Sequence, residues 1–401
     1  MMTIHASKLT NSAAPADIKQ RAELMAAAAA AAADKVDQEA RFPSEAFSVA
    51  KTHRLLGIQV PIELGGEGAS VSDVADLCYL LGRACASTAM IFAMHQIMVT
   101  ILVRHAPNSA WHRRLLRRLC AEQLLLASST TEGQGGGDLR SSVCAVERAG
   151  SGITVAKSAT VMSYGAEADG VVTTARRTAD AAVSDQVLVA FTKGDYELEP
   201  IMNWNALGMR GTCSAGFALK GRGEADQVLP EPYQRIHTHT MMPVAHLTWS
   251  SVWAGVAAGA VDRAKRFVRG AARNANGQTP PGATHLTRAT ASLRALRGIV
   301  ASALQRYETA ALRPEGLETL DFQTSMNLLK VNASELAIST VMSALQTCGL
   351  GGYRNDGEIS LSRHVRDILS TSIMINNDRI LASAANAALL VEVPALLRDH
   401  E

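Results

Sequence analysis

The sequence predicts an α+β fold in which helical regions at both ends flank a central region of β-strands. Apolar residues recur with a helical period near the N-terminus, short Val- and Thr-rich segments lie in the middle, and long helical stretches without proline follow. With 401 residues, of which 47% are hydrophobic and 19% charged, the chain can bury a sizeable core. This composition excludes wholesale disorder.

The N-terminal region, residues 1–123, has a helical pattern. Four apolar residues there fit a period of 3.6 residues: Val74, Leu77, Leu80 and Leu81. Ser72 or Asp73 just before them can cap this helix. An Ala-rich segment and a glycine-rich turn at 60–70 precede the cap, so the sequence predicts several helices joined by turns.

The middle region, residues 124–237, contains five short segments rich in Val and Thr. They recur every 10–15 residues or so, which favours an antiparallel barrel or sandwich over βαβ units. Residues 238–401 become helical again, with predicted helical segments at 252–268, 287–308, 322–347 and 362–396. Long helices with short connections predict an antiparallel bundle.

The composition also excludes several kinds of partner. A net charge of +2 gives no broad basic field for nucleic acid. The six cysteines form no CxxC pair, so we expect neither a metal site nor a disulfide framework. The N-terminus has no apolar signal-peptide core, and the most apolar run, 241–261, is interrupted by polar residues. We therefore expect a cytoplasmic protein without a membrane span.

Four segments could carry a site, and none of them decides the question alone. The glycine-rich segment 130–138 can cradle a phosphate or form a plain hairpin loop. The segment 346–353 can be a binding motif or a glycine helix cap. The segment 363–367 can be a motif or a surface ion-pair set, and 207–212 is a turn between strands.

Together with three further segments, they resemble the acyl-CoA dehydrogenase superfamily over nearly the whole chain. Seven segments match family motifs in order: 60–68, 131–138, 162–169, 207–212, 273–277, 346–353 and 363–367. The resemblance implies an N-terminal helical domain, a central antiparallel β-barrel and a C-terminal four-helix bundle. It also implies FAD held between barrel and bundle and across a subunit interface, hence a homotetramer (dimer of dimers) or a homodimer.

The resemblance assigns the FAD contacts residue by residue. They are Thr130 and Thr131 at the flavin ring, Gly136 and Gly137 near the ribityl–pyrophosphate, Ser163 near flavin N5, Arg273 at the pyrophosphate of the neighbouring subunit, Gln346 and Gly349 along the adenosine, and Asn377 and Arg379 where the family has flavin-contacting Thr and Gln. An Arg fork suits a pyrophosphate well.

The chain departs from the family at the catalytic base. Dehydrogenation of an acyl thioester needs a carboxylate that removes the α-proton. The two positions at which the family carries this Glu hold Ile375 and Trp249. Asp378 is a weak candidate for a relocated base. Val161 and Asn276 also replace family aromatics around the flavin.

Three functions follow. The family favours α,β-dehydrogenation of an acyl thioester, CoA- or carrier-protein-bound, with an electron-transfer flavoprotein as acceptor; the missing Glu opposes it. The alternative is a two-component flavin monooxygenase that takes reduced flavin from a flavin reductase and uses O₂. The segment 163–165 partly resembles such enzymes, and His95 is either a donor at that site or a buried structural histidine. The third is a non-catalytic protein that keeps only the fold.

Overall fold

The computed structural model describes residues 17–132, 141–274, 276–278 and 280–393. The N-terminal region is helical, as predicted. Its helices are α1 (Ile18–Glu39), α2 (Ser44–Thr52), α3 (Val71–Ala84), α4 (Ala86–His105) and α5 (Ala110–Glu122). The cap of α3 is Ser70: its hydroxyl accepts from the Asp73 amide, and the Asp73 carboxylate accepts from the Ser70 amide. Asp73 thus completes the cap from the first turn.

Helix α4 lies at the centre of the N-terminal region. In the part of the chain that the structure describes, α4 is the one helix that is both long enough and apolar enough to span a membrane. Its side chains are nevertheless enclosed on almost every side by other elements. A helix that is apolar all round is typical of a protein core as much as of a membrane.

The middle region forms two open sheets, so the prediction of a closed antiparallel barrel is wrong. The strands are β1 (Leu126–Ser129), β2 (Val146–Ala149), β3 (Gly152–Ala159), β4 (Gly170–Arg176), β5 (Gln186–Thr192), β6 (Tyr196–Met202) and β7 (Gly216–Glu224). They pair in the orders β1-β4-β5 and β2-β3-β7-β6. The β1–β4 pair is parallel and the other pairs are antiparallel. No ladder joins the edges of the two sheets in the described residues, and each sheet therefore stays open.

The two sheets share a small apolar core of their own. Val155 from β3, Val189 from β5 and Phe191 from β5 belong to it. A Cβ at Gly221 would lie 2.5 Å from the Phe191 ring, so only glycine lets β7 approach β5 this closely. The sheets therefore pack face to face as an open two-layer structure.

The C-terminal region is helical again. It contains α6 (Tyr233–Ile236), a π-helical turn (His237–Met241), α7 (Met242–Asn274), α8 (Ala283–Ala311), α9 (Leu320–Cys348), α10 (Leu350–Tyr353), α11 (Ser362–Ile368) and α12 (Asn377–Ala388). Helices α7, α8 and α9 pack against one another, and α12 packs on α9. The predicted continuous segment 362–396 is instead broken after α11 by a 3₁₀ turn and by Ile375, whose φ is +53°.

Helix α7 joins the N-terminal region to the bundle through a close helix crossing. A Cβ at Gly255 would lie 2.3 Å from the Tyr79 carbonyl oxygen, and one at Gly82 would lie 2.4 Å from the Val252 carbonyl oxygen. These two glycines let the α3 and α7 backbones touch. The crossing holds the first half of α7, with Trp249, against the N-terminal region.

Candidate functional site

The end of β1 and a turn after β3, which carry three of the predicted flavin-ring contacts, come together. Thr130 and Thr131 follow β1 directly and are half-buried. The Thr131 hydroxyl donates to the Val161 carbonyl oxygen at 3.1 Å. Ser163, also half-buried, lies two residues farther along this turn. The structure therefore gathers three of the predicted site residues from two separate segments.

Tyr164 locks the turn that carries Ser163. It has a φ of +44°, and its amide donates to the Thr212 carbonyl oxygen at 2.8 Å. Its fully buried hydroxyl donates to the Leu126 carbonyl oxygen at 2.9 Å. Because strand β1 contains Leu126, this bond fixes the turn relative to the strand that carries the threonines.

A chain of hydroxyl groups lies behind Ser163. The hydroxyl oxygens of Ser163 and Ser214 lie 2.8 Å apart, and those of Ser214 and Thr212 lie 2.7 Å apart. The Thr212 hydroxyl lies 2.8 Å from the Met209 carbonyl oxygen. Ser214 and Thr212 are buried. The segment 207–212 is a predicted turn that matches a family motif, whereas Ser214 lies outside that motif and was not predicted as a site residue.

On the bundle side, Lys330 of α9 holds the segment between α11 and α12. Its ammonium group is fully buried and donates to the Ile375 carbonyl oxygen and to Asn377 Oδ1, the latter at 2.7 Å. It also lies 5.8 Å from the centre of the Trp253 ring. Burial lowers the pKa of Lys330 to about 8. A lone lysine within an apolar helical run is the signal that could have identified this residue.

Asn377, a predicted flavin contact, is engaged inside the bundle. Its Oδ1 accepts from Lys330, and its Nδ2 donates to the Ser334 hydroxyl at 2.9 Å. Both the oxygen and the nitrogen of its side-chain amide therefore bind residues of α9, and they hold α12 against that helix.

Trp249 lies on a stretch of α7 where buried polar atoms have no hydrogen-bond partner among the described residues. These atoms are Trp249 Nε1, Ser250 Oγ and Trp253 Nε1. Unpaired buried polar atoms are rare in folded proteins and mark places that a ligand or a water completes. The half-buried hydroxyls of Thr130, Thr131 and Ser163 have the chemistry to form hydrogen bonds to the ring of a planar cofactor.

His95 lies in the core of the N-terminal region. Its Nδ1 accepts from the Leu126 amide at 3.0 Å, so its Nε2 carries the hydrogen and donates to the Leu56 carbonyl oxygen at 2.8 Å. The side chain is fully buried, and burial lowers the pKa of His95 to about 4. Both ring nitrogens are occupied by backbone groups, which leaves neither of them for a ligand in this structure.

The remaining predicted residues that the structure describes lie at the surface. Arg273, Gln346, Gly349, Asp378 and Arg379 are exposed. Arg273 Nε donates to the Arg269 carbonyl oxygen within α7 at 3.3 Å. Gly136 and Gly137 lie outside the described residues. Within the described part of the chain, no group of three or more His, Cys, Asp or Glu side chains is placed to hold a metal ion.

Helices, then sheets, then a helical bundle are the architecture of a class of flavin-dependent oxidoreductases. The chain belongs to the acyl-CoA dehydrogenase family. Residues 17–123 match the acyl-CoA dehydrogenase N-terminal domain, and residues 238–389 match the C-terminal domain. The resemblance seen in the sequence motifs is confirmed.

Relatives of this chain include dehydrogenases and a nitrososynthase, and a solved structure with a similar fold contains FMN. It is 25% identical over 367 residues to cyclohex-1-ene-1-carbonyl-CoA dehydrogenase of Geobacter metallireducens, covering 89% of this chain and 92% of the relative. It is 28% identical over 361 residues to L-evernosamine nitrososynthase of Micromonospora sp., covering 86% and 82%. Its fold is similar to FMN-bound TdsC from Paenibacillus sp. A11-2, with a TM-score of 0.81, 17% identity and coverage of 94% and 98%.

Proposed function

We propose that this chain is the oxygenase component of a two-component flavin monooxygenase. One observation carries the proposal: the two positions where the family holds its catalytic carboxylate contain Ile375 and Trp249. Neither side chain can accept a proton from the α-carbon of a thioester. The reaction that the family first suggested therefore lacks its base at both positions.

The surroundings of Ile375 oppose a substitute base there. Its carbonyl oxygen accepts from the buried Lys330 ammonium, whose other acceptor, Asn377 Oδ1, is also neutral. Asp378 lies three residues farther on, but it is exposed in the first turn of α12, where the Asn376 side chain caps its amide. A carboxylate in water is a poor base for a desolvated substrate.

The flavin ring would be held by Thr130, Thr131 and Ser163 on the sheet side. A reduced flavin bound there would supply two electrons to O₂, so that one oxygen atom would enter the substrate and the other would leave as water. The chain's own hydroxyl groups would orient the ring, and the side chain of Ile375 would leave no proton acceptor at that family base position. A separate flavin reductase would deliver the reduced flavin.

Two relatives support this proposal over the other functions. The relative with 28% identity is a nitrososynthase, and TdsC is a dibenzothiophene monooxygenase whose structure contains FMN. The substrate would then be a small molecule with an oxidisable nitrogen, sulfur or ring carbon. The cofactor would be a reduced flavin, either FMN or the FAD that the family motifs imply.

Acyl-thioester dehydrogenation is the second candidate, because the relative with 25% identity over most of the chain is a CoA-thioester dehydrogenase. It would require a base outside the two family positions and an electron-transfer flavoprotein as acceptor. For either function, the family motif implies that Arg273 reaches the flavin of a neighbouring subunit, so a homodimer or a dimer of dimers is the expected assembly, which sedimentation would measure.

One pair of assays separates the candidates. In the first, protein loaded with oxidised flavin is mixed anaerobically with a panel of acyl-CoA thioesters, and we expect no bleaching of the flavin. In the second, a flavin reductase and NADH supply reduced flavin under ¹⁸O₂ to a panel of aromatic sulfides, indoles and amino sugars. We expect ¹⁸O in at least one product. Bleaching by a thioester without any ¹⁸O incorporation would contradict the proposal. No binding of flavin in either redox state would leave the non-catalytic alternative.

A further inference from the structure

The hydroxyl chain behind Ser163 has only one arrangement of hydrogens that satisfies all its contacts. Three contacts link four oxygen atoms, those of Ser163, Ser214, Thr212 and the Met209 carbonyl. Three hydroxyl hydrogens are available, and the carbonyl oxygen can only accept. The Thr212 hydroxyl therefore donates to the Met209 carbonyl, Ser214 donates to Thr212, and Ser163 donates to Ser214.

This direction decides what Ser163 offers to a ligand. Its hydrogen is directed at Ser214, which is its one side-chain hydrogen-bond partner among the described residues. The remaining lone pair of Ser163 Oγ can only accept. Reversing the chain would place the Thr212 and Met209 oxygens 2.8 Å apart without a hydrogen between them, an arrangement that lone-pair repulsion disfavours.

We infer that the Thr212–Ser214–Ser163 chain makes the site select reduced flavin over oxidised flavin. This inference rests on the proposed function, which places the flavin ring beside Ser163. Position N5 of an oxidised flavin has a lone pair and no hydrogen, whereas N5 of a reduced flavin carries a hydrogen. The Ser163 oxygen, as an acceptor, is complementary to the N5 hydrogen of the reduced ring. With the oxidised ring, the lone pair of Ser163 Oγ faces the lone pair of N5. Ser214 and Thr212 act as positioning residues because they act through Ser163.

A site of this kind suits an oxygenase that receives its flavin already reduced. The reduced form would be captured from solution, and the oxidised form left after turnover would be released. The preference also raises the two-electron midpoint potential of the bound flavin, by about 30 mV for a tenfold difference in affinity.

The test is the ratio of two dissociation constants, for oxidised and for anaerobically reduced FMN, measured on the full chain by fluorescence titration. FAD is titrated in parallel. For the wild type we expect reduced flavin to bind about tenfold more tightly. Ser214→Ala frees the Ser163 hydroxyl to donate, so the ratio should fall about three- to tenfold, the usual size of one hydrogen bond. Thr212→Val removes the hydroxyl group that fixes the donor direction, so that the Ser163 hydroxyl is free to donate, and it should lower the ratio as well.

The matched control is Thr340→Val, because the Thr340 hydroxyl is buried and bonds only the Leu336 carbonyl oxygen. Its ratio should equal that of the wild type. If Ser214→Ala and Thr212→Val do not fold, Ser163→Ala, at a half-buried position, removes the acceptor directly and should lower the ratio too. A ratio that stays at the wild-type value in these variants, or a wild type that prefers oxidised flavin, overturns the inference. The ¹⁸O assay would still report on the proposed function in either case.

Discussion

Lys330 Nζ lies 2.7 Å from Asn377 Oδ1, and the same ammonium group donates to the carbonyl of Ile375. A fully buried cation is thus held by two neutral acceptors on the segment that joins α11 to α12. A buried ammonium group without a carboxylate is costly, and it remains charged only because its hydrogen bonds are made. The contact connects α9 to the position where the family carries its base.

The pH dependence of unfolding should reveal this lysine. Its pKa falls from an ordinary value of 10.5 to about 8 in the folded protein, so the unfolded chain binds the extra proton between these values. Stability therefore rises as the pH increases through this window. Between pH 7.5 and 9.5, the wild type should gain about 1–2 kcal/mol of unfolding free energy relative to Lys330→Met, measured by urea denaturation. The exposed Lys220→Met is the control and should follow the wild type. Parallel pH profiles for the wild type and Lys330→Met would contradict the prediction.

At Ile375, the glycine variant should be more stable than the alanine variant, which is the opposite of the usual order. A β-branched residue at a φ of +53° is strained, and any residue with a Cβ costs roughly 1 kcal/mol there. Ile375→Gly should therefore be more stable than Ile375→Ala by about 1 kcal/mol, as measured by urea unfolding. At Ile338, which is also half-buried but helical, alanine should be the more stable by a similar amount. The same order at both positions would show that the left-handed backbone at Ile375 is not retained in solution.

Acid should destabilise the protein through its buried histidines. Burial lowers the pKa of His95 and His112 to about 4 and that of His246 to about 3. Because the unfolded chain binds these protons near pH 6.5, stability is present above that pH and is lost as the pH falls toward 4. Each histidine should contribute on the order of 1 kcal/mol per pH unit in this window. In urea unfolding, His95→Gln should reduce the average slope between pH 7.5 and 5.5 by about half a proton, because the unfolded histidine is protonated only in the lower half of this range. An unchanged slope would mean that His95 is not held neutral.

Arg273 should discriminate between the two flavins. If it reaches the pyrophosphate of a neighbouring subunit's FAD, Arg273→Ala should weaken FAD binding by about 1.5–3 kcal/mol, the size of a charged hydrogen bond. FMN lacks the pyrophosphate, so its affinity should stay the same. Isothermal titration with both flavins measures the difference. Arg269→Ala, at an exposed residue of the same helix, is the control. An equal effect on both flavins, or none on FAD, would show that Arg273 does not contact the pyrophosphate.

Local patterns predicted the long C-terminal helices and most of the strands. The long helices α7, α8 and α9 follow from periodic apolar residues without proline, and β3, β4 and β5 follow from runs rich in Val and Thr. The prediction missed β6, an exposed edge strand interrupted by Pro200, and β2, which is only four residues long. It also joined α11 and α12, because nothing local marks Ile375 as left-handed.

The sequence by itself determined the family and the loss of the carboxylate, because both depend on residue identity at positions given by ordered motifs. Only the tertiary structure decided which strands pair and that the sheets stay open. Strand β1 pairs with β4, for example, so that Leu126 meets Gly170, which lies 44 residues farther along the chain. The tertiary structure also decided that Lys330 holds Ile375 and that the hydroxyl of Ser163 points toward Ser214, 51 residues away. The direction of a hydrogen bond depends on which groups meet in space, and no local pattern of residues encodes that meeting.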